Sequence, residues 1–417
     1  MKKLLIAVLC LMLTGCAAPA PSDGSGPDRS VSPDIPAPSP AASSAPNGES
    51  GPPQASPETD PETAENPSAS QEPSESSLGP QNQEQIIQEL LSAMTLEEKV
   101  GQMFFVRCPE TGGAELAAQY KVGGYLLFGR DFKDKTAQQV RDDIQSYQDA
   151  SGIPLLIGTD EEGGTVVRAS SNPDLFPQRE PAPQTLFAQG GMDLILQDAR
   201  QKSMTLLDLG VNVNFAPVAD VSTDPADFIY ARSFGQDAQA TANYVAQVVG
   251  VMGEEQIGSV LKHFPGYGNN VDTHTGIALD QRPYETFQTS DFLPFQAGIQ
   301  AGADAVLVSH NIAASMDESL PASLSPTVHK ILREELGFDG VVLTDDLAMD
   351  AVMEYAQNGS AAVLAIQAGN DMVVTTDFQT QIPQVIHAVQ SGVIAESQID
   401  QAVTRVLNWK YELGLLG

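Results

Sequence analysis

The sequence predicts a closed (β/α)8 TIM-type barrel over residues 84–417, on three observations. Eight short apolar runs recur along this stretch, a longer amphipathic segment follows each, and acids, lysine or histidine stand where several of the runs end. Short apolar runs joined by helix-period connectors read as parallel strands with crossover helices. Barrels of this kind collect their chemistry at the carboxyl ends of the strands, so polar run ends are the residues to watch. An open doubly wound sheet is the structural rival, and no second folded domain is indicated.

Residues 1–16 read as an export signal. Met1-Lys-Lys is a charged start, Leu4 to Met12 is an apolar stretch too short to span a bilayer comfortably, and Leu13-Thr-Gly-Cys16 follows directly. The four-residue pattern resembles a bacterial lipobox, with Cys16 as the lipidated residue of an exported, membrane-anchored protein. An ordinary secretory signal cleaved nearby is the alternative. Residues 17–83 are dominated by Pro, Ser, Ala, Gly and Glu and carry scarcely a large apolar side chain. Such a stretch buries too little surface to offset its ordering entropy, so a disordered tether is expected.

Within 84–417, Ile86 to Leu91 has helical period, and Thr95-Leu-Glu-Glu98 is a capping box opening a helix into Val100. The apolar runs are Met103–Cys108, Gly124–Phe128, Leu155–Asp160, Val213–Asp220, Ser259–His263, Ala305–His310, Val341–Asp345 and Met372–Asp377. Helices are expected over Ala114–Tyr120, Thr136–Ala150, Met192–Leu209, Ala238–Met252, Phe292–Ala301, Pro326–Leu336, Asp350–Ala368 and Pro383–Ser391. The Pro326 helix is well punctuated, with Ser325 as N-cap, proline in the first turn and Gly337 at the stop.

The formal net charge of −33 argues against nucleic acid and against polybasic membrane contact as modes of binding. Of the three cysteines, Cys10 lies in the signal and Cys16 is the anchor, leaving Cys108 to pack as a small apolar side chain without a disulfide partner. The histidines are scattered and no Cys-x-x-Cys or His-Glu-x-x-His spacing occurs, so no cluster with metal-ligand spacing is read from the sequence.

The most informative stretch is Lys262-His-Phe-Pro-Gly-Tyr-Gly-Asn-Asn-Val-Asp-Thr-His274. Lys262 and His263 stand where a buried strand ends, Gly266 and Gly268 let the next loop turn, and Asp272 can orient His274 two residues later. Cations at a strand end hold a polar ligand, and an Asp-His pair moves a proton.

Three further motifs add carboxylates and arginines. Thr159-Asp-Glu-Glu-Gly-Gly-Thr-Val-Val-Arg168 places Asp160 at a strand end and Arg168 eight residues on, a set suited to sugar hydroxyls or to a capped turn with an ion pair. Ala231-Arg-Ser-Phe-Gly235 offers Arg232 after the fourth strand. Leu343-Thr-Asp-Asp-Leu-Ala-Met349 ends the seventh run in two acids. On an extended run only one of them can face the barrel mouth, and Asp345 comes first off the strand; the alternative for the pair is a helix N-cap at Asp346, and both readings can hold, with Asp345 chemical and Asp346 capping.

Taken in chain order, Asp160-Glu-Glu-Gly-Gly with Arg168, Ala-Arg232-Ser-Phe-Gly, Lys262-His263-Phe-Pro-Gly, Asp272-Thr-His274 and Thr-Asp345-Asp-Leu-Ala-Met resemble the glycoside hydrolase family 3 β-N-acetylglucosaminidases. The resemblance implies a retaining exo-glycosidase that needs no metal or organic cofactor. Asp345 would be the nucleophile, His274 the loop-borne acid/base and Asp272 its orienting partner, while Asp160, Arg168, Arg232, Lys262 and His263 would bind the non-reducing-end sugar. A chain ending at Gly417 leaves the loop dyad to supply the proton. The sequence departs from the family pattern at Tyr267, where relatives often carry His, and at Asn269 and Asn270, where an acid often follows. Tyr267 is then a candidate to stack on a sugar ring.

The expected substrate is a carbohydrate with a terminal β-linked N-acetylglucosamine, from peptidoglycan fragments or chito-oligosaccharides, and a monomer suffices. A β-glucosidase or other family 3 exo-glycosidase is the alternative within the class. A lipid-anchored sugar-binding protein is the non-catalytic rival, although such a binder has no use for an Asp-His dyad on a glycine-rich loop.

Overall fold

The computed structural model describes residues 80–270, 278–349, 352, 355 and 360–417. The expected signal, lipobox and tether up to residue 79, and the Asp272–His274 dyad, lie outside the described residues. Residues 80–83, expected to end the tether, instead open the helix Pro80–Ala93, which extends the helical period of Ile86 to Leu91 towards the N-terminus.

All eight apolar runs form strands: β1 Phe104–Arg107, β2 Gly124–Leu127, β3 Leu156–Thr159, β4 Val213–Asn214, β5 Gly258–Phe264, β6 Ala305–Val308, β7 Val341–Thr344 and β8 Val373–Thr375. They pair in parallel in chain order, and β1 also pairs with β8. A parallel bridge between Leu343 and Met372, with Val374 N donating to Thr344 Oγ1 at 3.0 Å, joins β7 to β8 and closes the ring. The TIM-type barrel is therefore present, and the open sheet is excluded.

Strand alternation sorts the side chains into two cores. Phe105, Leu126, Leu156, Val260, Leu307, Leu343 and Val374 point into the barrel, while Phe104, Val106, Tyr125, Leu127, Ile157, Val306 and Val342 point out against the helices. At the amino-terminal end, Val406 and Trp409 of the last helix, Glu396–Glu412, join the inner cluster and plug it. The opposite, carboxyl end is left to the polar loops.

The connectors follow the expected periods with local differences. The Thr95 capping box is formed, and Asp237 and Thr136 cap the helices that follow them. The helix expected from Met192 begins earlier, at Pro183, and breaks at Gly191, whose positive φ of 66° interrupts the helical turn. Pro383 lies inside the helix Phe378–Gln390 instead of opening it. Of the expected helix Asp350–Ala368, the part Ala361–Ala368 is observed, and most of residues 350–359 lie outside the described residues. Residues 347–349 form a turn, so Asp346 is not a helix N-cap. Its Oδ1 accepts from Ala348 N at 3.0 Å, the side chain-to-backbone bond of an Asx turn. Cys108 is buried just past β1, and burial pushes its thiol up to about 12, which fits an unreactive packing role.

Candidate active site

The loops at the carboxyl ends of the strands enclose a cavity of about 390 Å³. Asp160, Arg168, Arg232, Lys262, His263 and Asp345, six residues marked out by sequence, all line it.

The β3 end is built around two adjacent buried glutamates. Glu161 turns away from the cavity: its Oε2 accepts the backbone N–H groups of Arg168 at 3.0 Å, Ala169 at 2.7 Å and Ser170 at 3.3 Å. This fixes the loop that presents Arg168. The two glycines that follow are needed for the fold-back, because Gly163 has φ of 95° and a Cβ there would meet the Pro181 carbonyl oxygen at 2.2 Å.

Glu162 turns towards the cations. Its Oε2 accepts from Arg232 Nε at 3.0 Å and its Oε1 from Arg232 Nη2 at 2.8 Å, while Lys262 Nζ lies 2.5 Å from Oε1. Lys262 also donates to Asp160 Oδ1 at 2.7 Å, and Arg168 Nη2 pairs with Asp160 Oδ2 at 3.5 Å. Burial favours the neutral acid at Glu162, but the Arg232 and Lys262 charges overcome it and hold the carboxyl well below the usual range. Burial likewise opposes charge on Arg232, and Glu162 outweighs it, raising the guanidinium above its ordinary value. The result is a rigid lattice of alternating charge whose remaining N–H and carboxylate edges face the cavity.

His263 is held from behind by Asp220, whose Oδ2 lies 2.7 Å from Nδ1 and accepts the His263 backbone N–H at 3.0 Å. The other carboxylate oxygen accepts Tyr267 N at 2.8 Å. Arg232 Nη2 stands 3.0 Å from His263 Nε2; a cationic Arg can only donate, which makes Nε2 the acceptor and places the ring proton on Nδ1, toward Asp220. Tyr267 is buried with its ring edge-on to His263 at 5.1 Å and near Phe228 at 5.8 Å, so in this arrangement it packs the site instead of offering a face to a sugar.

On the far side, Asp345 stands one residue past β7. Its backbone N–H donates to Val308 O at 2.9 Å, and its Oδ1 accepts from Asp346 N at 2.8 Å. Both Asp345 and Asp346 line the cavity, contrary to the expectation that only one could. Strand alternation stops at Thr344, and the turn that follows brings the second acid round. His310 does not line the cavity. It is buried below, with Nδ1 at 2.7 Å from Ser323 Oγ and Nε2 at 3.0 Å from the Asp346 carbonyl oxygen, which steadies that turn.

Sequence reasoning passed over Glu162, which sits inside a motif already singled out; nothing in two adjacent glutamates says which one meets the cations. Asp220 was legible only as a polar run end. Arg107, the last residue of β1, also lines the cavity and was not selected.

An eight-stranded parallel barrel with a polar cavity of paired carboxylates and cations at its carboxyl mouth has the layout of a barrel enzyme, with its site on the face where such folds place their chemistry. Residues 95–409 match the family described as glycosyl hydrolase family 3 N terminal domain. The chain is 35% identical over 318 residues to a β-hexosaminidase of Stenotrophomonas maltophilia strain R551-3, covering 73% of this chain and 89% of that one. It is 32% identical over 315 residues to a β-hexosaminidase of Xanthomonas campestris pv. campestris strain B100, covering 73% and 90%.

Among solved structures, a family 3 β-N-acetylglucosaminidase from Paenibacillus sp. str. FPU-7 superposes with a TM-score of 0.71 at 30% identity, covering 78% of this chain and 63% of that one. A β-N-acetylhexosaminidase from Beutenbergia cavernae superposes with a TM-score of 0.66 at 30% identity, covering 75% and 98%. The chain belongs to glycoside hydrolase family 3.

Proposed function

We propose that the protein is a retaining exo-β-N-acetylglucosaminidase that removes terminal N-acetylglucosamine from peptidoglycan fragments or chito-oligosaccharides. The observation that carries this reading is the shared cavity: Asp345 lines the same space as Asp160, Arg168, Arg232, Lys262 and His263. A sugar held by hydroxyl contacts to the lattice would present its anomeric carbon to the acid at the β7 end.

Asp345 attacks C1 to form a covalent glycosyl-enzyme through a transition state with oxocarbenium character, and water then releases the sugar. His274, oriented by Asp272, gives a proton to the leaving oxygen and takes one from water in the second step. A neutral imidazole suits this role beside a reacting carboxylate, since it brings no second negative charge to the anomeric centre. Asp160 and the three cations bind the sugar hydroxyls, and their mutual pairing keeps their geometry fixed before substrate arrives.

The Met1–Cys16 pattern supports the companion proposal of export and lipid anchoring through Cys16, which would hold a monomeric barrel beside the cell wall. Cys16→Ala is expected to move the protein from the membrane fraction to the soluble one; an unchanged distribution contradicts the anchor. The activity is tested by initial rates on p-nitrophenyl β-N-acetylglucosaminide and β-glucoside, with product analysis on chitobiose and muropeptides. Release of N-acetylglucosamine at the higher kcat/KM is expected. A glucoside that greatly outruns it makes the chain a β-glucosidase, and bound ligand recovered intact makes it a binder.

A further inference from the structure

Three of the four cations in the cavity wall are already matched with carboxylates: Arg168 with Asp160, Arg232 with Glu162, and Lys262 with both acids. Arg107 differs. Among the described residues no carboxylate lies within ion-pair reach of it, and its Nε is buried without a hydrogen-bond partner. Strand pairing explains why. At the end of β1 its register partner on β2 is Leu126, and Val374 of β8 and Phe128 are among its cavity neighbours, so the adjoining wall is apolar. The guanidinium carbon lies over the Phe128 ring, 4.1 Å from its centre, a cation–π contact that holds the side chain against the cavity wall. Arg168 approaches the same ring at 5.1 Å, and its Nε too is buried without a partner.

A half-buried cation with no counter-charge among the described residues, packed on an aromatic ring and lining a ligand-sized cavity, has an open valence for an oxyanion. Arginine's planar fork matches a carboxylate. We propose that Arg107, with Arg168 beside the same Phe128 ring, binds a carboxylate carried by the saccharide, so that the enzyme selects acidic substrates over neutral ones of equal size. The inference rests on the glycosidase reading of this cavity and extends it to a substrate class.

The test compares kcat/KM for N-acetylglucosamine β-linked to N-acetylmuramic acid with that for the methyl ester of the same disaccharide. The wild type is expected to favour the acid by about tenfold or more. Arg107→Gln should bring the ratio towards one, and Arg107→Lys, which keeps the charge without the fork, should fall between. A carboxylate held instead on the cleaved sugar would appear as a preference for p-nitrophenyl glucuronide over glucoside, lost in the same variant. Equal rates on acid and ester together with no glucuronide preference in the wild type overturn the proposal, as does a preference that survives in Arg107→Gln.

Calorimetric binding of free N-acetylmuramic acid and its methyl ester separates this inference from the one beneath it, because no turnover is needed. Acid-selective binding lost in Arg107→Gln, without sugar release from any glycoside, would sustain the carboxylate site and sink the hydrolase. Turnover without acid selectivity would do the reverse.

Discussion

Glu162 grips Arg232 through both of its carboxylate oxygens, at 3.0 Å and 2.8 Å, and one of those oxygens also lies 2.5 Å from Lys262 Nζ. One buried acid thus ties together the loop after β3, the loop after β4 and the end of β5. Three of the cavity's sugar-binding candidates owe their positions to it directly or through Asp160.

Glu162→Gln keeps the shape and removes the charge that two buried cations share. Breaking a buried pair from one side costs about 3–5 kcal/mol, so a clear drop in Tm is expected, with KM rising about tenfold or more as Arg232 and Lys262 move. The pH dependence has a defined sign. Glu162's folded-state pKa is depressed, so its contribution is complete above the ordinary carboxyl value of 4.5 and is lost as pH falls from there towards the folded value. The Tm gap between wild type and Glu162→Gln should hold from pH 7 to 5 and narrow below 4.5. A gap that widens on acidification contradicts this account.

Asp345→Ala should abolish turnover, by a factor on the order of 10⁴ or more in kcat, and leave Tm within a few degrees. The main-chain bond from residue 345 to Val308 O survives the change, although the acceptor for Asp346 N is lost. A near-normal rate in this variant removes the nucleophile assignment.

His274→Ala should slow hydrolysis of a natural disaccharide by roughly 10²–10⁴-fold. The deficit should be smaller with p-nitrophenol, a leaving group that needs little protonation. Equal losses on both substrates would assign His274 to structure and not to proton transfer.

Lys410 gives a prediction remote from the site. It is fully buried at the amino-terminal end of the barrel with its ammonium on Gln102 Oε1 at 2.5 Å, and burial pushes its pKa down to about 7. The unfolded chain binds this proton up to about 10.5, so native stability should rise with pH between about 7 and 10.5. Lys410→Met should therefore raise Tm at pH 6–7, and its advantage should shrink as pH approaches 10. A variant equally unstable at every pH would show that the amine's hydrogen bond outweighs its desolvation.

Much of this molecule can be read from its residues. The strands were legible because each is a short apolar run, buried on both faces, ending in turn chemistry or a polar residue. Asp160, Lys262 and His263 were legible because a charged residue at the end of such a run has few places to go except the barrel mouth. What escaped were relationships across loops. Glu162 and Glu161 are chemically identical neighbours whose opposite directions are decided by the Gly163-Gly164 fold-back. Asp346 entered the cavity because pleat alternation ended at Thr344, two residues before it. Tyr267, which had looked available for a sugar, is occupied by its packing on His263. Arg107 was hidden in an apolar run, and its importance depends on what is missing around it.

The central claim is that Asp345 becomes covalently bonded to the sugar. Brief reaction with a 5-fluoro β-N-acetylglucosaminyl fluoride, which slows breakdown of the intermediate, followed by peptide mass mapping, tests it directly. The account predicts one added fluoro-sugar on the peptide bearing Asp345 and none in Asp345→Ala. A sugar attached to another residue, or steady turnover of the reagent with no labelled peptide at any time, would contradict it.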